Sequence, residues 1–159
     1  MYYLGIDPGL EGAFVILKDQ NIHEVHLMPL IKTAASKKRI SPVGLKELVG
    51  HLATFKDMKV SMEYLMNTPG KQGTFAFGDG YGMVRGMLVY AGLPPNYVLP
   101  KHWKKDVMPN MPADKIASCV AAARLYPEAK AYMLKPRGGL HDGIGDAICI
   151  AEWGRRNLK

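Results

Sequence analysis

Short apolar runs separated by turn residues open the chain. Tyr2-Tyr3-Leu4-Gly5-Ile6 ends at Asp7 and reads as a strand over 2–7. Pro8-Gly9 and Gly12 punctuate a turn, and Ala13-Phe14-Val15-Ile16-Leu17 reads as the returning strand of a hairpin. Asp19-Gln20-Asn21 turns the chain again, and a third strand near 22–28 has His23, Val25 and Leu27 in alternation. Residues 29–40 are polar and basic and read as a loop. Ser41-Pro42 has the chemistry of a helix start, and Val43, Leu45, Leu48, Val49 and Leu52 form a helical stripe to about residue 55. A short buried strand over 57–63 ends on Glu63.

The second half is more helical. A loop over 64–74 leads to a helix over about 75–91, in which Gly78, Gly82 and Gly86 share one face. Each glycine costs a helix about 1 kcal/mol relative to alanine, so close approach of another backbone, in the chain or at a dimer contact, is expected there. Gly92 and Pro94-Pro95 end that helix, a strand occupies 96–99, and further helices lie near 112–126 and 141–155. A crossover helix makes the fourth strand parallel to the first and brings Asp7 and Glu63 to one edge of neighbouring strands. The 159 residues make one domain spanning 1–159.

Four carboxylates then stand out. Asp7 and Glu63 close strands, while Asp142 and Asp146 open the last helix on one face. A buried acid at a strand end is costly unless a cation neutralises it. The net charge is +7, with +1 in residues 1–80 and +6 in residues 81–159. An acidic pocket in a basic chain is the charge pattern of a metal-dependent nuclease. There is no apolar run long enough for a membrane span and no signal peptide is expected. Cys119 and Cys149 lie in apolar helical stretches and read as reduced core residues of a cytoplasmic protein. No Cys/His spacing marks a zinc site.

These residues resemble a known family. Gly5-Ile6-Asp7-Pro8-Gly9-Leu10-Glu11-Gly12-Ala13 is similar to the opening motif of RuvC-type Holliday junction resolvases. Met62-Glu63 resembles their second acidic position, and His141-Asp142-Gly143-Ile144-Gly145-Asp146-Ala147 their acidic helix start. Phe77-Gly78-Asp79-Gly80-Tyr81-Gly82 and Pro100-Lys101-His102-Trp103-Lys104-Lys105 resemble blocks of the short phage and prophage branch. The resemblance implies an α/β RNase H-like fold, with a five-stranded mixed sheet flanked by helices. It also implies a homodimer that nicks a four-way DNA junction symmetrically, in bacterial host cytoplasm if phage-encoded. Asp7, Glu63 and Asp146 match the metal positions. The last acidic pair is spaced by four residues where the family often has three or a histidine, so Asp142 or His141 completes the set, and Asp142 is the choice.

Phosphodiester hydrolysis needs an activated water and a stabilised leaving oxygen, which two Mg²⁺ ions can supply, Mn²⁺ being a substitute. Asp7 would bridge the ions, with Glu63 on one side and Asp142 and Asp146 on the other. Lys101 and Lys104 could bind the scissile phosphate or orient the water. Lys37, Lys38, Arg39, Lys105, Lys135 and Arg137 could track the DNA backbone together with Lys101 and Lys104. Tyr64, Met66 and Phe75 flank the loop where an apolar wedge is expected by analogy, and Trp103 reads as core. The opening motif also resembles the phosphate-binding hairpin of actin-like ATPases, but those need two such lobes, so no nucleotide cofactor is expected. A nuclease for other branched or flapped DNA and a non-catalytic junction-binding module are the remaining alternatives.

Overall fold

The computed structural model describes residues 1–34, 37–64, 74–112 and 114–159. Three antiparallel strands, β1 (Tyr2–Ile6), β2 (Ala13–Lys18) and β3 (Asn21–Leu27), form the meander that the alternating runs predict. A two-stranded ribbon follows, β4 (Leu30–Lys32) and β5 (Lys38–Ile40), where the sequence reads as loop. Its strands are too short and too basic to show a period, and Ile40 alone is buried among their residues.

Helix α1 (Pro42–Leu52) starts as expected, with the Ser41 hydroxyl accepting from the Gly44 amide at 3.1 Å and proline in the first turn. It buries Leu45, Val49 and Leu52. The crossover delivers β6 (Met58–Glu63) parallel to β1, and α2 (Thr74–Tyr90) then leads to β7 (Asn96–Val98), parallel to β6. Sheet order is β3-β2-β1-β6-β7, the five-stranded mixed sheet that the resemblance implies.

The remaining helices are α3 (Pro100–Val107), α4 (Ala117–Leu125), α5 (Ala129–Met133) and α6 (Asp142–Asn157). Helix α3 follows directly on the strand end that precedes Lys101 and Lys104, and the helix expected over 112–126 starts later, at Ala117, with α5 as a separate turn beyond Pro127.

Two cores sandwich the sheet. One face holds Leu4, Ile6, Phe14, Ile16 and Met62 against α1 and α2. The other holds Val15, Leu17, Val98 and Trp103 against α6, which lies across β1, β2 and β6 with α3, α4 and α5 outside it. Cys119 and Cys149 are buried and unpaired in this second core, as expected.

Two glycines set how closely α6 approaches. A Cβ on Gly5 would overlap the backbone of Ala147 and Ala151, and one on Gly143 would overlap the Glu11 carbonyl. The opening motif and the start of α6 therefore touch backbone to backbone. Gly5→Ala should lower stability by about 3 kcal/mol, the upper end for overpacking, because rigid backbone must move. A urea midpoint equal to wild type would show that α6 can give way without cost.

The α2 glycines behave otherwise. Among the described residues nothing lies within 4 Å of a Cβ built on Gly78, Gly82 or Gly86, so no described backbone approaches that face. The described residues of this protomer do not supply the close approach expected for the stripe.

Candidate active site

Alternation in β1 and β6 decides where the acids point. Leu4, Ile6 and Met62 enter the α1 core, whereas Gly5 packs on α6 and the Ser61 hydroxyl lies against Gly154 of α6. Asp7 and Glu63 continue the second set, so both project to the α6 side. The register pairs Ile6 with Met62, and Asp7 and Glu63 stand one residue beyond that pair on adjacent parallel strands. Seating α6 on the Glu11 carbonyl brings Asp142, its first residue, and Asp146, one turn on, against the same edge.

The electrostatics record this convergence. Burial pushes the Asp7 carboxyl up to about 7, the Gly9 amide partly offsets this, and Asp146, Glu63 and Asp142 push further in the same direction. The Gly9 amide donates to Asp7 Oδ1 at 3.0 Å. Burial raises Glu63 above the ordinary carboxylate range, against the lowering effect of its Trp103 hydrogen bond, and Asp146 adds to the rise. Burial also raises Asp146, opposed by a hydrogen bond from Ser118 and by the charge of Lys104. The protein holds these acids where they repel one another and where water shields them poorly.

No three of these acids bring oxygens within 4.8 Å of one another, so they do not form a single tight cage. They converge at wider spacing where β1 and β6 end and α6 begins. An all-oxygen donor set, partly buried and mutually repelling, fits Mg²⁺ or Mn²⁺, which take carboxylates and retain waters. His141 stands beside it as the cap of α6, its Nδ1 buried without a hydrogen-bond partner among the described residues. Burial and the Lys135 charge hold its imidazole below the ordinary histidine range, which favours the neutral form that can ligate a metal.

The predicted cations fall into different places. Lys104 lies close enough to lower both Glu63 and Asp146, and its Nζ sits 5.1 Å from the Trp103 ring centre. Lys101, one turn earlier on α3, and Lys105 are exposed. Lys38 on the β4–β5 ribbon pairs with Glu11 of the opening motif at 3.2 Å, flanked by exposed Lys37 and half-buried Arg39. Lys135 influences His141, and Arg137 is exposed on the same loop. Tyr64 and Phe75 are exposed, Phe75 at 87%, and Met66 lies outside the described residues.

Three neighbours of the acids carry no sequence signal. Trp103 is fully buried, as expected of core, and its indole N–H also donates to Glu63 Oε1 at 3.0 Å, fixing that carboxylate. Ser118 binds Asp146, and Lys115 lies 3.6 Å from Asp142. All three come from segments brought in by tertiary packing. Only the polar tip of an otherwise apolar Trp103 hints at such a role.

No protein-family model matches the chain, and no curated protein does. Solved structures match it over nearly its whole length. Thermus thermophilus RuvC in complex with a Holliday junction substrate superposes with a TM-score of 0.62 at 16% identity, covering 95% of this chain and 90% of that one. A second Thermus thermophilus RuvC structure gives 0.61 at 16% identity, with 98% and 96% covered. The chain has the RuvC fold. The RuvC fold is RNase H-like, and the five-stranded mixed sheet with flanking helices agrees with it.

Proposed function

We propose that this protein is a divalent-metal-dependent endonuclease that resolves four-way DNA junctions by nicking two strands symmetrically. The observation that carries this reading is the meeting of Asp7, Glu63, Asp142 and Asp146 at one edge of a RuvC fold, with repulsion that a cation would relieve. Asp7 would bridge two ions, Glu63 would hold one, and Asp142 and Asp146 the other, with His141 within reach of the second. Bound there, the ions would supply an activated water and charge neutralisation at the leaving oxygen.

The chain's own residues do the rest. Trp103 locks the rotamer of Glu63, and Ser118 that of Asp146. Lys104 reaches the acids from α3 and is placed to hold the scissile phosphate, with Lys101 and Lys105 following the strand outward. Lys38 reaches Glu11 of the opening motif from the ribbon and Lys135 acts on His141 from the loop before α6; together with their neighbours Lys37, Arg39 and Arg137 they would carry DNA backbone towards the acids. Such an arrangement suits DNA backbone entering an acidic centre. RuvC of Thermus thermophilus has been solved on a Holliday junction, which supports the same substrate class here.

A two-fold junction matches a two-fold protein. The open glycine face of α2 and the exposed Phe75, Val89 and Tyr90 on that helix support a homodimer. We place its action in bacterial cytoplasm, in recombination, repair or phage DNA processing.

The test is cleavage of a synthetic four-way junction beside a duplex of matched sequence, with and without Mg²⁺. Paired, metal-dependent nicks confined to the junction are expected. Equal cutting of both would leave a general nuclease, and tight junction binding without cleavage in Mg²⁺ or Mn²⁺ would leave a binding protein.

A further inference from the structure

A second cluster of ligating side chains lies on the opposite face of the sheet. Glu24 and His26 on β3 pair with Ile16 and Phe14, whose side chains enter the α1 core. They therefore project towards α1, away from the acids, which face α6. His51 in the last turn of α1 completes the group. His26 Nε2 lies 2.7 Å and His51 Nε2 2.8 Å from the same carboxylate oxygen, Glu24 Oε2. One atom from each of these three residues lies within 4.8 Å of the others, and among the described residues this is the one such group.

A β-bulge brings a fourth ligating side chain alongside this group, outside its 4.8 Å limit. The β2–β3 register pairs Ile16 with Glu24 but Leu17 with Ile22, so His23 is the extra residue. In a regular strand His23 and Glu24 would point to opposite faces. The bulge turns both towards α1, and His23 Nε2 stands 4.0 Å from Glu24 Oε1. Aromatic neighbours restrict the rings. Phe55 meets His51 and His23 edge-on at 5.3 and 5.7 Å, and Tyr2 packs against His23 at 5.4 Å. His51 is partly open to solvent, which leaves a path for an ion.

We propose that Glu24, His26 and His51 bind a transition-metal ion of the zinc class, with His23 as the fourth donor. Imidazole nitrogens with one carboxylate suit Zn²⁺, whereas Mg²⁺ prefers an all-oxygen set. Bound there, Zn²⁺ would tie the C-terminal turn of α1 to the edge strand of the sheet, a structural clamp separate from the acids. Local sequence spacing does not mark the site because three donors come from a bulged strand and one from a helix 25 residues after His26.

The experiment is a titration of untagged, metal-free protein with Zn²⁺, and with Co²⁺ as a spectroscopic probe, in excess Mg²⁺ to occupy the acids. Wild type should bind a single equivalent and develop the visible bands of low-coordinate Co²⁺, with a raised melting temperature. His26→Gln and His51→Gln, shown folded by circular dichroism, should each bind at least about tenfold more weakly. Asp7→Asn should bind as wild type does, which separates this site from the acids. Absence of binding to wild type, or unchanged binding in both histidine variants, would overturn the proposal. Neither result bears on junction cleavage.

Discussion

Replacing Asp7 by asparagine should abolish metal-dependent cleavage of a four-way junction while leaving the fold and junction binding in place. Asp7 is the acid that burial and all three other site carboxylates act on together, so it stands at the centre of the group. Asparagine keeps the size and can still accept the Gly9 amide hydrogen bond, but it removes the negative charge a bridging ligand must supply. Metal-ion stabilisation of the transition state is worth several kcal/mol, so the single-turnover rate should fall by about 10³-fold or more. Single-turnover kinetics with saturating protein would read this directly, and a gel-shift assay would report binding. A variant retaining a tenth or more of the wild-type rate would remove Asp7 from the metal-bridging role.

The elements most legible in the sequence are those that bury one full face. β1, β2 and β6 alternate against two cores, and the helical crossover fixes β6 parallel to β1, so the meeting of Asp7 and Glu63 follows from local pattern and topology alone. The β4–β5 ribbon is illegible because three-residue strands of leucine, isoleucine, lysine and arginine have no period to read. The alternation of His23, Val25 and Leu27 misleads for a different reason. The bulge at His23 sends it to the α1 side, while Val25 packs on the α6 core, so residues two apart do not share a face.

Glycine spacing is likewise silent about what it faces. A four-residue repeat on α2 looks like a close contact, yet its face meets nothing among the described residues, whereas the irregularly spaced Gly5 and Gly143 set the approach of α6. Periodicity reports which residues share a face, not what lies opposite. At the site, the carboxylates are visible because they interrupt apolar runs. Trp103, Ser118 and Lys115 are not, because each reaches its acid across a tertiary contact.

With chelator present, the wild-type protein should lose stability as pH rises from about 4 to 7, and Asp7→Asn should lose less. The sign follows from the Asp7 carboxyl, raised from 3.8 to about 7 in the folded state. Below about pH 4 folded and unfolded chains both carry the proton, and no penalty exists. Between the two values the unfolded chain releases the proton and the folded chain keeps it, so each pH unit costs about 1.4 kcal/mol. Above 7 the full penalty of about 4 kcal/mol is present, and the raised Glu63 and Asp146 act in the same direction. Glu152 acts oppositely. Although burial disfavours its charge, hydrogen bonds from Arg155, Tyr126 and Arg156 hold it below the ordinary range, so its contribution is complete above 4.5 and fades only in stronger acid. The fall through neutrality therefore belongs to the acids of the site. Divalent cation should reverse it, because ion and proton compete for the same oxygens. Urea melts at about pH 5 and pH 8, in chelator and in Mg²⁺, should show wild type gaining most from Mg²⁺ at the higher pH, and Asp7→Asn gaining little at either. Equal Mg²⁺ responses in the two proteins, or a chelated wild type more stable than Asp7→Asn at pH 8, would mean that the repulsion among these four carboxylates is relieved by something other than a bound cation.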